Sequence, residues 1–112
     1  MLNIQVDERL ALCETLVVRL ISQRPLKQFW QVHPDSESSL RHWITVLKAA
    51  KWRHFADVKK VFGSADQVGK YTVFNIGGNK YRLITVIHYN VQKVFVRAIL
   101  THADYDRDNW KN

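Results

Sequence analysis

The apolar residues of this chain change their spacing near Gly63. Before it they recur three and four positions apart, the interval of one helix face. After Gly69 they alternate with polar residues or run together with β-branched ones, the pattern of strands. A period of 3.6 cannot line one face of a strand, nor a period of 2 one face of a helix. The chain is therefore expected to be α+β, with helices gathered in its first half and a sheet built mainly from its second.

Leu26, Phe29, Trp30 and His33 fall on one helix face, with Ser22 as a plausible N-cap, Pro25 tolerable in the first turn and Pro34 as the stop. Asp35 or Ser36 is placed to cap a second helix, whose apolar face is Leu40, Trp43, Ile44, Leu47 and Ala50. A short third helix is expected over Phe55 to Phe62, stopped by Gly63, followed by a polar loop from Gly63 to Gly69. Tyr71 to Ile76, Lys80 to Tyr89 and Lys93 to Leu100 read as a three-stranded meander. Gly77-Gly78-Asn79 joins the first pair, because glycine and asparagine accept positive φ. Leu16 to Ile21 reads as an earlier strand. The expected architecture is a small antiparallel sheet, the N-terminal strand plus the meander, packed against two to three helices.

At 112 residues the chain suits one core, assigned to residues 18–112. Residues 1–17 stand apart as an N-terminal extension, with Asp7, Glu8 and Glu14 against one base, Arg9. The rest is basic. Overall 17 Lys and Arg oppose 10 Asp and Glu, and a net charge of +7 on a small surface favours an anionic partner, nucleic acid foremost. One cysteine, Cys13, excludes an intrachain disulfide, and the His residues lack zinc-site spacing. Neither a metal nor another cofactor is expected. With no apolar run long enough to cross a bilayer and acids inside the N-terminal apolar stretch, the reading is cytoplasmic, without a membrane partner.

The chemistry-bearing residues gather near the end of the expected sheet. Lys80 and Arg82 share one face of the central strand by alternation, opposite Tyr81, Leu83, Thr85 and Ile87. Arg97 interrupts an apolar strand, where a cation must reach water, find an acid such as Asp104 or Asp106, or meet an anion. His102 and Tyr105 follow that strand. Arg offers a planar fork to phosphate, and His exchanges a proton near neutral pH. Together Lys80, Arg82, Arg97, His102 and Tyr105 suit cleavage of RNA through its own 2′-hydroxyl, which needs two proton transfers and a stabilised phosphoryl charge. Arg24, Lys27, Lys48, Lys51, Arg53, Lys59 and Lys60 lie mostly off the apolar stripes. Each suits a solvated face, and jointly they could follow RNA phosphates.

The sequence resembles the HigB-like toxins of the RelE superfamily over about residues 19 to 106. The resemblance is carried by Arg19 to Ser22, Leu26 to Trp30, His33-Pro34-Asp35, Leu40 to Trp43, Lys51-Trp52, Ala56 to Lys59 and Phe62 to Ser64. Its most specific blocks are Val73 to Leu83, containing Asn75, Asn79, Lys80 and Arg82, and Thr101 to Asp106; Val96-Arg97 adds to them. It implies a RelE-type fold, ribosome-dependent mRNA cleavage and neutralisation by a helix-turn-helix HigA-type antitoxin, with DNA reached only through that complex. Carried over by position, the active-site residues are Lys80, Arg82, Arg97, His102 and Tyr105, with Asn75 and Asn79 on the RNA. The competing readings are an RNA- or ribosome-binding module without turnover and a regulatory subunit acting with its antitoxin.

Overall fold

In the computed structural model, which describes residues 19–21 and 23–107, the helices lie between a first short strand and the rest of the sheet. Strand β1 is Arg19–Ile21 and helix α1 is Arg24–Val32. A 3-10 turn at Pro34–Ser36 leads into α2, Glu37–Lys48, and α3 is Phe55–Val61. The second half holds β2 (Asp66–Val68), β3 (Tyr71–Ile76), β4 (Tyr81–His88), β5 (Lys93–Thr101) and a closing turn of helix, α4, His102–Asp106. The strands lie in the order β1-β5-β4-β3-β2. The expected extension, the first part of the expected first strand and Ser22 lie outside the described residues.

The helical spacing predicts the buried faces. Leu26 and Trp30 of α1 are buried, as are Leu40, Trp43, Ile44 and Leu47 of α2, while Arg41, His42, Thr45 and Lys48 are exposed. The caps differ from expectation. Gln23 occupies the N-cap of α1 without a side-chain bond. Ser36 occupies that of α2, but its hydroxyl donates to the His33 carbonyl at 2.7 Å instead of accepting. Helix stability here comes from the buried faces, which outweigh capping in a packed protein.

The sheet is mixed where an antiparallel one was expected. β1 pairs parallel with β5, Arg19 opposite Lys93, while the other pairings are antiparallel. Parallel pairing needs a long crossover, and the helices between β1 and the meander supply it. β2 falls within the expected polar loop. Asp66-Gln67-Val68 has no apolar alternation, and backbone pairing with β3 across the Gly69–Lys70 turn makes it a strand. Gly77 and Gly78 both take left-handed φ, 64° and 71°, so the β3–β4 connection is open to glycine and strained for other residues. It is one residue longer than the sequence suggests, because Lys80 belongs to it.

The helices cover one sheet face. Phe74 of β3 sits at the centre of that contact, 1 % exposed. Its ring lies 5.3 Å from Trp43, 5.2 Å from Phe62 and 6.3 Å from Trp52. Trp52 is fixed in turn by Gln92, whose Oε1 accepts from the Trp52 N–H at 3.1 Å and whose Nε2 donates to the Trp52 carbonyl. Truncating Phe74 should leave a cavity ringed by three aromatic residues. Phe74→Ala is expected to cost about 3–5 kcal/mol in urea unfolding. Phe95→Ala, removing a side chain that is 39 % exposed, should cost under about 1 kcal/mol.

Candidate active site

Alternation along β4 sends Tyr81 and Leu83 into the core beneath the helices and Ile84 to the other face, with Tyr71 and Val73. Val86, Ala98, Leu100 and Tyr105 pack around that second cluster. Arg82 belongs to this face. Its guanidinium carbon lies 5.5 Å from the Tyr105 ring centroid, and Asn75 is its register partner on β3.

The turn before β4 and the first residue of β4 supply the acceptors that hold Arg82, which is 8 % exposed. Nη2 donates to Oδ1 of Asn79 at 2.7 Å. Nη1 donates to the carbonyls of Asn79 and Tyr81 at 3.3 and 3.2 Å. All three acceptors are neutral, and among the described residues no carboxylate pairs with this guanidinium. Among the described residues these neutral contacts leave its charge uncompensated and available to an anion.

Lys80 does not share a face with Arg82. As the last residue of the turn it escapes strand alternation, and its ammonium reaches Oδ2 of Asp35 at 3.1 Å, in the turn between α1 and α2. Oδ1 of Asp35 accepts from the Tyr81 hydroxyl at 2.7 Å. The Tyr81 hydroxyl first, and the Lys80 ammonium second, hold the Asp35 carboxyl below its ordinary value, and the same carboxylate holds the Tyr81 phenol above its own. His33 stacks on Phe29 at 4.4 Å, and the Tyr81 ring meets Phe29 edge-on at 5.1 Å. One acid from the helix layer thus clamps the turn that carries Asn79 and Lys80, just before Arg82 in β4.

His102 opens α4. Its N–H donates to the Lys80 carbonyl at 3.0 Å, so the tail is bonded directly to the turn. Nε2 lies 3.2 Å from Oδ2 of Asp106, and Thr101 caps the helix by accepting from the Asp104 N–H at 3.2 Å. Arg97 is the extra residue of a bulge in β5, because Val96 faces Thr85 while Ala98 faces Ile84. Its backbone lies three positions from Leu100, the partner of Arg82, or about 10 Å along the strand. Arg82, Tyr105, Asn75 and Asn79 therefore form the centre, Lys80 and His102 its edge, and Arg97 a more distant flank.

The other basic residues singled out in the sequence belong to α1, α2, α3 and the segment between the last two. Lys27 and Lys48 line a 320 Å³ groove between α1 and α2 with Arg41, which stacks over Trp30 at 4.9 Å. Arg24, Lys51 and Lys60 are exposed, and Lys59 donates to the Ala65 carbonyl at 2.8 Å. Arg53 is held locally by Asp57, 3.3 Å away. Among the described residues no three His, Cys, Asp or Glu side chains gather to hold a metal, and no helix is long and apolar enough to cross a membrane. Sequence reasoning missed Asp35, Tyr81 and Asp106. The first two meet across 46 positions, a contact that no spacing encodes.

Residues 36–108 match the family model described as HigB_toxin, the RelE-like toxic component of a toxin-antitoxin system. The chain is 29% identical over 92 residues to a protein of Escherichia coli strain K12 named mRNA interferase toxin HigB, covering 80% of this chain and 88% of that one. It is 26% identical over 93 residues to an mRNA interferase HigB of Escherichia coli O6:H1, covering 80% and 90%.

The Asp35 clamp has a defined pH window. A carboxyl depressed by folding contributes stability above its unfolded value, 3.8, and loses it as pH falls through the folded one. A phenol raised by folding contributes below 10.0 and loses it as pH rises through its folded value. Asp35→Asn should therefore lower Tm at neutral pH. The gap from wild type should shrink in acid below 3.8 and again above pH 10.0 in a calorimetric pH series.

Proposed function

The chain belongs to the HigB toxin family, the RelE-like toxic components of toxin–antitoxin systems, and from that premise we propose that it is an endoribonuclease that cuts messenger RNA on the translating ribosome, without a metal, and is neutralised by a helix-turn-helix antitoxin of the HigA type. The relatives named above are each called an mRNA interferase, which supports the RNA target. The observation that carries the reading is the Arg82 guanidinium, held by neutral acceptors at the end of the sheet where the Lys80 and His102 segments are bonded together.

In the proposed reaction the 2′-hydroxyl loses its proton to a base and its oxygen bonds to phosphorus. The bond from phosphorus to the 5′-oxygen breaks, and that oxygen takes a proton. RNA supplies the nucleophile. Arg82 and Lys80 are assigned to the negative charge growing on the phosphoryl oxygens. An ammonium has three donors, so Lys80 can keep Asp35 and still offer N–H to phosphate. His102, oriented by Asp106, and Tyr105, beneath Arg82, are assigned to the proton transfers. Arg97 holds the RNA strand further along β5. Asn75 faces the same strand, and Asn79 contributes through Arg82. Arg24, Lys27, Lys48, Lys51, Lys59 and Lys60 are assigned to phosphates of ribosomal RNA, a sequence-independent contact that salt weakens. The protein acts in the cytoplasm and meets DNA only through its antitoxin.

Expression without antitoxin is expected to arrest growth, and Arg82→Ala or His102→Ala to relieve the arrest while the protein stays folded by circular dichroism. In transcript cleavage on ribosomes, Arg82→Ala should lose about 10²–10³-fold in rate. Arg82→Lys should recover only part of that, since an ammonium cannot replace the planar fork. Undiminished arrest by both alanine variants would remove these residues from the reaction.

A further inference from the structure

β3 is an edge strand for half its length. β2 pairs only with Tyr71, Thr72 and Val73. Phe74, Asn75 and Ile76 have β4 on one side and, among the described strands, nothing on the other. The two-residue turn at Gly69–Lys70 makes Val68 and Tyr71 a hydrogen-bonded closing pair, so the backbone groups of Tyr71 and Val73 face β2. Those of Asn75, two residues on, point the same way past the end of β2. They form a donor and an acceptor in the arrangement that another strand would pair with.

A cavity of 460 Å³ lies along this open edge. Asn75, Ile76 and Gly77 line it from the sheet; Trp43 and Val46 of α2, with Val61 and Phe62 at the end of α3, give its apolar helix side, and Ser38, Ser39 and His42 of α2 its polar part. Val61 is 50 % exposed, a large apolar side chain at the rim. The Trp43 indole N–H has no acceptor among the described residues. No Lys or Arg lines the cavity, which disfavours a phosphate backbone, since nucleic-acid binding draws on such cations. An extended polypeptide fits. Its backbone pairs with the strand edge, and alternate apolar side chains meet Val46, Val61 and Phe62. Lys59 and Lys60 immediately precede Val61, so charge complementarity favours a segment with acidic residues beside its apolar ones.

We propose that the free edge of β3 receives an extended segment of the antitoxin, acidic with apolar side chains at alternate positions, which adds to the sheet as a further strand. The proposal rests on the toxin–antitoxin reading and gives it a place of contact. Asn75 is the register partner of Arg82. The added strand would lie two strand spacings, about 10 Å, from β4, close enough to narrow the approach to the guanidinium.

Hydrogen exchange read by NMR on the full chain, free and saturated with its purified antitoxin, tests this at one amide. The Asn75 N–H should exchange quickly in the free protein and about 100-fold more slowly in the complex. Val61→Glu should weaken antitoxin binding by about tenfold or more in titration calorimetry and leave RNA cleavage at the wild-type rate. Unchanged Asn75 exchange in the saturated complex, or unchanged affinity in Val61→Glu, would overturn the proposal. So would equal protection of the Asn75 backbone N–H by an RNA oligonucleotide, which the proposed reaction places against the side chain on the Arg82 face, or protection that grows with the concentration of the free protein and marks a second copy. A wild type that cleaves no RNA while its antitoxin still protects Asn75 would sink the nuclease reading and leave the docking edge standing.

Discussion

The aromatic contact between helix layer and sheet decides what the rest of the molecule can do. Trp43, Trp52 and Phe62 close around Phe74, and burial of large rings is the strongest favourable contribution a core of this size can draw on. A sheet has two faces, and this contact fills one. Among the described residues the other carries a small apolar cluster and α4, which is where Arg82 and Tyr105 meet. Helix packing therefore fixes which side of the sheet stays open around Arg82.

Between these layers the site is joined by few bonds, each spanning a long stretch of chain. Asp35 links the α1–α2 turn to Tyr81 and Lys80. The Lys80 carbonyl links the β3–β4 turn to the start of α4. Arg82 takes two of its three acceptors from Asn79 in the same turn. The turn itself has two adjacent glycines in the left-handed region, so its backbone is permissive and its shape depends on what holds it. A phosphate contact that must be placed to within a fraction of an ångström needs such bracing. Asp35, with no part in the chemistry proposed, is the residue that couples the brace to the core.

Much of the fold is legible from residue spacing. The buried faces of α1 and α2, the exposed cations opposite them, and the three strands of the meander all follow from period. Less legible are elements whose residues carry no pattern of their own. β2 is three residues with exposed polar side chains at its start, and it exists because β3 offers it a ladder. The direction of β1 depends on the route the helices take before β5 is reached. The Tyr89–Gln92 turn hides its cause equally well. Gln92 adopts a positive φ of 53° without being glycine, and its side chain is bonded to Trp52, forty positions away.

The sequence by itself determined the class of the molecule, its basic character, its principal buried faces and the blocks around Arg82 and His102, because composition and period are properties of neighbouring residues. Tertiary structure alone decided that Lys80 and Arg82 part company at the end of the turn, that Arg97 sits on a bulge away from the centre, and that Asp35 and Tyr81 join the site. Those outcomes depend on contacts between residues far apart in the chain, and on where a strand begins. A shift of one residue at that boundary changes which face a side chain joins.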